Sequence, residues 1–333
     1  MTAIADASLD RAKHAEKARK KSPNGPRNVP GAGLDPIFKA VLYASGLLVL
    51  VLLGSIIVLL FQGGLPALIE FGVSFFWNTT WNPVTEKFSA GVMIYGTLFT
   101  GFLALLIALP MSFGIAFFLT EIAPVRLRRP VGMAIQLLAA VPSIIFGMWG
   151  FFVIVPLLAA YVEPPFITVF SGIPVIGALF KGPASGMGMF TSGLILSFMI
   201  IPFITAMFVE IIEAVPAMLK ESAYGVGATT FEVFRHVSVP YGRTALVGAI
   251  MLGLGRALGE TMAVTFVIGN ATRISASLFA PGATIASTIA NEFPEAPLGS
   301  LKNHSLLELG FALFVISFIV LSISRALVRG KSS

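Results

Sequence analysis

The sequence predicts an all-α membrane protein with six transmembrane helices. Hydrophobic residues make up 56% of the chain and charged residues only 11%, a balance that excludes an ordinary water-soluble domain. Six apolar stretches are long enough to cross a bilayer, which takes about 20 helical residues. Lysine and arginine cluster in alternate loops between these stretches, as they do in multi-pass proteins with basic cytoplasmic loops.

The chain begins with a basic, polar segment, residues 1–35, which is rich in proline and glycine near its end. This composition predicts a mobile cytoplasmic tail. The apolar stretch 37–61 that follows is too long for the core of a signal peptide and predicts the first span. Residues 36–330 are therefore expected to form one membrane domain.

The second and third spans are predicted at residues 93–119 and 131–160. Three arginines between residues 126 and 129 mark a short cytoplasmic turn between the two spans. Pro142 and Pro156 are predicted to kink the third span, because proline removes a helical hydrogen bond.

The remaining spans are predicted at residues 190–212, 244–268 and 306–328. A Gly/Pro-rich outer loop, 161–189, precedes the fourth span. A polar outer segment, 270–305, separates the last two spans and is long enough for a small helix or a re-entrant piece.

The distribution of basic residues predicts the orientation of the six spans. Of 22 lysines and arginines, 17 fall on predicted cytoplasmic segments or, for Lys39 and Arg325, at the cytoplasmic ends of spans, four fall on outer segments, and Arg256 lies deep inside a span. Such a bias favours cytoplasmic positions for both termini.

A polar loop, residues 213–243, joins the fourth and fifth spans and predicts two short helices around a bend. Gly225 and Gly227 interrupt the first helix. Thr229 and Glu232 have the spacing of a capping box, in which each side chain satisfies the other residue's backbone N–H, and they predict the start of the second helix.

The second short helix is predicted to present apolar side chains to water and to end at Pro240. Phe231, Val233, Phe234 and Val237 follow the cap. Exposed apolar groups of this kind are typical of a docking surface.

Two charges lie inside the predicted fifth span, Arg256 and Glu260. Each costs about 2.5 to 3.5 kcal/mol at the centre of a membrane helix. Their spacing of four residues predicts one helical face, on which they can reach each other. The pair is then either a structural, self-neutralising pair or part of a transport path, and charges within membranes favour the second interpretation.

The polar loop resembles the EAA loop of bacterial ATP-binding-cassette (ABC) import permeases. The matching positions are Glu221, Ser222, Ala223, Gly227, Val237, Val239 and Pro240. The resemblance implies that this segment, including Phe231 and Phe234, couples the membrane helices to a cytoplasmic ATPase.

Two further motifs resemble the phosphate-specific permeases of this superfamily. They are PSIIFGMWG in the third span and GRALGETMAV in the fifth. This resemblance covers nearly all of residues 36–330 and implies a MetI-like ABC importer permease fold. It also implies that Arg256 and Glu260 line the substrate path, where Thr261 is expected to add a hydroxyl donor. A guanidinium fork suits two phosphate oxygens, and Glu260 is expected to orient the arginine and weaken its hold.

The same resemblance implies the partners and the location. We expect a second, distinct permease subunit, two ATP-binding subunits, a periplasmic phosphate-binding protein and the lipid bilayer of a bacterial cytoplasmic (inner) membrane, with no nucleic acid. The chain lacks a GxxxxGK[ST] loop, so ATP and Mg²⁺ are expected in the partner ATPase and this subunit is expected to be non-catalytic and free of cofactors.

Other functions stay open at this stage. His14, His236 and His304 lie in separate segments, so a metal site is not expected. A permease for sulfate or molybdate is the nearest alternative, followed by a secondary transporter or channel. A lipid-modifying membrane enzyme would need a nucleophile or metal cluster that the sequence does not offer.

Overall fold

The computed structural model describes residues 35–170, 172–173 and 176–329. The chain divides into two compact units after Ile56. The described part of the first unit, residues 35–56, is helical and its side chains are largely exposed. It forms the beginning of the helix Asp35–Phe71. The predicted mobile tail lies outside the described residues, apart from Asp35.

Within the described residues, six helical segments are long and apolar enough to cross a membrane. They are Pro36–Phe76, Gly91–Ile122, Ser143–Phe170, Met189–Glu213, Thr230–Leu258 and Leu301–Ile323, and we call them the first to sixth spans. The predicted all-α fold with six spans is confirmed. The second, fourth and sixth spans lie close to the predicted positions. The first continues to Phe76 instead of ending near residue 61, so the prediction of a loop directly after residue 61 is wrong, and the third and fifth also differ.

The third span begins later than the sequence predicts. Residues 125–139 form a separate helix, Val125–Ala139, with no buried side chain, and Pro142 precedes the first helical residue of Ser143–Trp149. The prediction of Pro142 as a kink inside one helix is wrong, because proline at this point starts a new helix instead of interrupting one. We call Val125–Ala139 the amphipathic helix.

The rest of the third span is helical well into the predicted outer loop. It contains two π-helical turns, Gly150–Ile154 and Leu158–Val162, on either side of Pro156. It continues to Phe170 in the helix Glu163–Phe170. Wider turns of this kind accommodate the hydrogen bond that a proline removes.

The fifth span begins earlier than predicted and is interrupted at its far end. The helix runs from Thr230 through a π-helical turn, Phe234–Ser238, into Val239–Leu258. Pro240 does not end it, because a proline in the first turn of Val239–Leu258 needs no backbone donor there. The chain then breaks, and a separate short helix, Met262–Val267, follows.

The fourth span lies at the centre of the second unit. In its most apolar stretch 56% of the residues are buried, against 28% or less in every other span. Phe208 packs against Phe113 of the second span with ring centroids 4.5 Å apart. A Cβ at Gly253 of the fifth span would lie 2.7 Å from Ile204 Cδ1, so glycine permits the close approach of these two helices.

A small helix, Ile285–Glu292, lies between the last two spans and confirms the expectation of such a helix in segment 270–305. A capping box of Thr284 and Ser287 opens it. The Ile285 backbone N–H donates to Thr97 Oγ1 at 3.0 Å. The segment is thereby attached to the second span.

Candidate substrate path and coupling segment

Arg256 lies in the last turn of the helix Val239–Leu258 and its side chain is exposed. Its guanidinium carbon lies 5.5 Å from the centroid of the Phe203 ring on the fourth span. A cation over an aromatic face is held without losing its hydrogen-bond donors. The five N–H groups of Arg256 therefore stay available for an anion.

Glu260 lies in the break between the two helices and has a different partner. Its Oε1 accepts a hydrogen bond from the Ala263 backbone N–H at 3.2 Å, which places the carboxylate at the start of Met262–Val267. Negative charge is favoured at a helix N-terminus. In the described part of the chain no ion pair joins Glu260 to Arg256, so the predicted intrahelical pair is wrong.

The break itself explains the difference. Gly259 follows the last helical residue, and its N–H donates to the Gly255 carbonyl at 3.3 Å. Glu260 N donates to the Ala257 carbonyl at 3.3 Å, a shorter turn than an α-helix makes. A spacing of four residues no longer places two side chains on one face once the helix has ended.

Thr261 is half-buried beside the break. Its hydroxyl lies 3.4 Å from the Gly259 carbonyl oxygen, and its own carbonyl accepts from the Thr265 hydroxyl at 2.7 Å. Non-helical backbone at membrane depth is tolerated only inside protein or along a polar cavity. The break that carries Glu260 and Thr261 therefore fits a path for a polar solute.

The coupling segment, residues 213–243, is mostly helical. Its first helix, Ala217–Gly225, exposes Glu221 and Ser222 and half-buries Ala223. Gly227 then adopts a left-handed backbone with φ of +89°, and its N–H donates to the Tyr224 carbonyl at 2.9 Å. The predicted glycine bend is confirmed, and glycine suits it because other residues adopt this φ at a cost.

The second helix of the segment starts as predicted. Thr229 N–H donates to Glu232 Oε2 at 2.8 Å, and Glu232 N–H donates to Thr229 Oγ1 at 3.4 Å. These two bonds complete the capping box. The bend and the start of the second helix are thus determined by local sequence.

The aromatic residues of the second helix divide into two groups. Val233 and Phe234 are buried, and the Phe234 ring lies 4.7 Å from that of Phe117 at the end of the second span. The prediction that the whole group faces water is wrong for these two residues, and Phe234 is covered by the second span. Phe231 is exposed, although its ring packs edge-on against that of Phe117, with the ring centroids 5.8 Å apart.

Several large apolar side chains stay exposed on the segment. They are Met218, Leu219, Tyr224, Val226, Phe231 and Tyr241. We call the first five, on and around the two short helices, the coupling surface. Apolar groups in this number at the end of a helical bundle are typical of a protein contact. Pro240 is also exposed and lies on the first turn of the helix Val239–Leu258.

Sequence reasoning missed an ion pair that joins distant parts of the chain. Lys220 Nζ lies 2.8 Å from Glu121 Oε1, with side-chain exposures of 19% and 8%. Glu121 stands at the predicted cytoplasmic end of the second span, where sequence alone indicates a solvated or interfacial cap; in the structure its side chain is largely buried and paired. The sequence offered two signals for this ion pair. Lys220 directly precedes the EAA-like positions, and Glu121 lies at the end of a span.

Two buried carboxylates were also missed. Glu163 accepts from the Gly186 backbone N–H at 2.8 Å. Glu308 has no hydrogen-bond partner within the described residues, and it packs beside Gly64, where a Cβ would lie 2.8 Å from Glu308 Cα. An acidic residue inside an apolar span is the signal that would have found Glu308.

The described residues contain no group of three or more histidine, cysteine or acidic side chains that could hold a metal ion. The candidate site is therefore built from one exposed arginine, a helix break and a coupling segment.

The chain matches a family model described as "Binding-protein-dependent transport system inner membrane component" over residues 115–333. A protein of Mesorhizobium japonicum named "Phosphate transport system permease protein PstC" is 56% identical over 291 residues, covering 87% of this chain and 89% of that protein. The protein of the same name from Pasteurella multocida is 53% identical, covering 89% of this chain and 92% of its own length. A "Probable phosphate transport system permease protein PstC" of Methanocaldococcus jannaschii is 36% identical, covering 85% and 90%.

Among solved structures, the chain resembles a bacterial alginate ABC transporter in complex with an alginate pentasaccharide-bound periplasmic protein. The TM-score is 0.59 at 16% identity, with 90% of this chain and 97% of the other covered. At this identity the likeness concerns the fold alone. It confirms the permease fold predicted from the sequence.

Proposed function

The chain belongs to the family of binding-protein-dependent transport system inner membrane components, and from this premise we propose that it is the permease subunit of an ATP-driven importer of inorganic phosphate. The observation that carries the choice of phosphate is the 53 to 56% identity to proteins named as phosphate transport system permeases, over most of their length. The exposed Arg256 is the group in the candidate path best suited to a phosphate oxyanion.

The proposed assembly follows from the family and from the exposed surfaces. A second permease subunit completes the path, two ATP-binding subunits attach from the cytoplasm, one of them on the coupling surface, and a periplasmic phosphate-binding protein delivers the anion. The chain lies in a bacterial cytoplasmic membrane with both termini in the cytoplasm, in keeping with its basic loops. It binds no ATP, Mg²⁺ or other cofactor and makes or breaks no bond in phosphate.

The coupling segment is the part of this chain that the partner ATPase moves. When ATP closes the partner ATPase, the exposed residues Met218, Tyr224 and Val226 move with the cleft that holds them. The bend at Gly227 is held by local hydrogen bonds, so the two short helices move as one body. Their covalent joins to the fourth and fifth spans then pass the movement into the membrane.

The proposed path contains few charged side chains. Arg256 offers paired N–H donors to a passing phosphate. The Phe203 ring, 5.5 Å away, holds the guanidinium without neutralising it. Glu260, which caps the next helix, supplies negative charge beyond the arginine, so the anion is not held at a single strong site and can leave.

The test is uptake of labelled phosphate into proteoliposomes that contain the complete complex and internal ATP. We expect uptake that requires loaded binding protein and ends when the P-loop lysine of the partner ATPase is replaced. An excess of sulfate or molybdate should leave phosphate uptake unchanged.

Two other outcomes would change the assignment. Competition by sulfate or molybdate would identify a permease for another oxyanion, which the exposed arginine also suits. Uptake that persists without a working ATPase would identify a secondary transporter or channel.

A further inference from the structure

The geometry points to a second attachment of the coupling segment, beyond its covalent joins to the fourth and fifth spans. The Lys220–Glu121 ion pair carries the movement of the first coupling helix, Ala217–Gly225, into the end of the second span. Lys220 and Glu121 are positioning residues of the transport cycle. This inference rests on the proposed function and adds to it the route by which a third span is moved.

The ion pair is short and largely shielded. Lys220 Nζ and Glu121 Oε1 are 2.8 Å apart, and the side chains are 19% and 8% exposed. Exposed ion pairs hold their elements together weakly because water and salt screen them. A pair this shielded is screened less, and removal of one partner leaves the other charge without compensation.

The second coupling helix contacts the same end of the same span. The Phe117 ring lies 4.7 Å from Phe234 and 5.8 Å from Phe231. The two helices on either side of the Gly227 bend are thus attached to one stretch, residues 117–121. One attachment is polar and the other is aromatic, so the segment can neither slide along the span nor turn about a single contact.

The stretch that receives both contacts is itself irregular. Phe118–Ile122 is a π-helical turn, in which Ala123 N–H donates to the Phe118 carbonyl at 2.7 Å. Such turns are frequent at functional sites in membrane and soluble helices. Here the turn ends the second span and presents Glu121 toward Lys220.

A further contact extends the route to the amphipathic helix. Arg128 Nη2 donates to the Thr120 carbonyl at 2.7 Å. Thr120 is adjacent to Glu121 and lies within the π-helical turn. A displacement of Lys220 therefore reaches both the second span and the amphipathic helix through groups that are in direct contact.

The experiment measures phosphate imported per ATP hydrolysed in proteoliposomes with the complete complex. Lys220→Met and Glu121→Gln are each expected to lower this ratio by about fivefold or more, the lower end of typical coupling between sites. Exchange of the charges, Lys220→Glu with Glu121→Lys, should restore at least half of the ratio. The ratio is taken per ATP hydrolysed by assembled complexes, so a lower yield of stable complex does not by itself change it.

The chain offers a matched control in a second ion pair, between the small helix Ile285–Glu292 and the start of the sixth span. Lys302 Nζ lies 3.1 Å from Glu292 Oε2, with side-chain exposures of 19% and 22%. Lys302→Met removes an ion pair of similar burial from a place remote from the coupling segment. It should leave the ratio at the wild-type value.

Three results would overturn the inference. They are a wild-type ratio in both single variants, a ratio that the exchanged pair does not restore, or an equal loss in Lys302→Met. If Lys220→Met or Glu121→Gln fails to assemble with the ATPase, Lys220→Arg is measured in its place. This variant keeps the positive charge and must keep the wild-type ratio of phosphate imported per ATP hydrolysed. Failure of the proposed function would be seen separately, as an absence of ATP-dependent phosphate uptake by the unmodified complex.

Discussion

Two pairs of oppositely charged residues in this chain differ in whether their two members contact each other. Lys220 and Glu121 are 99 residues apart and meet at 2.8 Å. Arg256 and Glu260 are four residues apart, and the break at Gly259 directs them to different partners. Proximity in sequence therefore does not decide which charges neutralise each other. Arg256 forms no ion pair with another described residue, and its position beside the helix break makes it the charge suited to a ligand.

The largest effect is expected at Arg256, the arginine beside the helix break. Arg256→Gln removes a charged donor to the anion, and a hydrogen bond to a charged group is worth enough to change a rate by about tenfold or more. Phosphate uptake should fall by this factor while the amount of assembled complex stays the same. Uptake assays with parallel immunoblots measure both.

The matched control for that substitution is an exposed arginine outside both the helix break and the coupling segment. Arg273 lies between the helices Met262–Val267 and Ile285–Glu292 and is exposed. Arg273→Gln should leave uptake near the wild-type rate. An equal loss in the two variants would mean that overall positive charge matters, and the special role of Arg256 would be lost.

A smaller effect is expected at the bend that sets the geometry of the coupling segment. Gly227 has a φ of +89° and open space where a Cβ would lie, so Gly227→Ala introduces backbone strain of about 1 to 2 kcal/mol without a clash. Gly225→Ala serves as the control, because Gly225 ends a helix, also has open space and has no positive φ. Thermal unfolding of the purified complex should shift downward for Gly227→Ala only, and equal shifts would contradict the strain argument.

The smallest effect is expected at Glu260, where two substitutions separate capping from charge. Glu260→Gln keeps an oxygen that can accept from the Ala263 N–H, whereas Glu260→Ala removes it. Loss of favourable interaction with a helix N-terminus costs about 0.3 to 1 kcal/mol. We expect Glu260→Ala to unfold at a lower temperature than Glu260→Gln. If the two variants unfold together below the wild type, Glu260 acts through its charge instead.

Hydropathy and basic loops were sufficient to predict six spans, because the bilayer imposes a length and a polarity that are visible in any stretch of sequence. The capping box at Thr229 and the bend at Gly227 were predictable for a similar reason, since both are satisfied by neighbouring residues. Local physics therefore accounts for most of the fold and for the shape of the coupling segment.

The remaining features depend on contacts between distant residues. The burial of Phe234 depends on Phe117, and the partner of Glu121 lies in another loop. Pro142 and Gly259 both looked like features inside continuous helices, and whether such a residue kinks or ends a helix depends on what packs around it. The geometry within the candidate path was therefore not predictable from the sequence.

The most direct test of this account is the stimulation of ATP hydrolysis by loaded binding protein, measured side by side on the Arg256→Gln and Lys220→Met complexes. The account predicts that Arg256→Gln keeps the stimulation while it loses phosphate uptake, because its coupling contacts are intact. Lys220→Met should lose the stimulation. If Arg256→Gln loses it as well, the arginine belongs to the coupling machinery or to the fold, and the division between a paired and a ligand-facing charge is wrong.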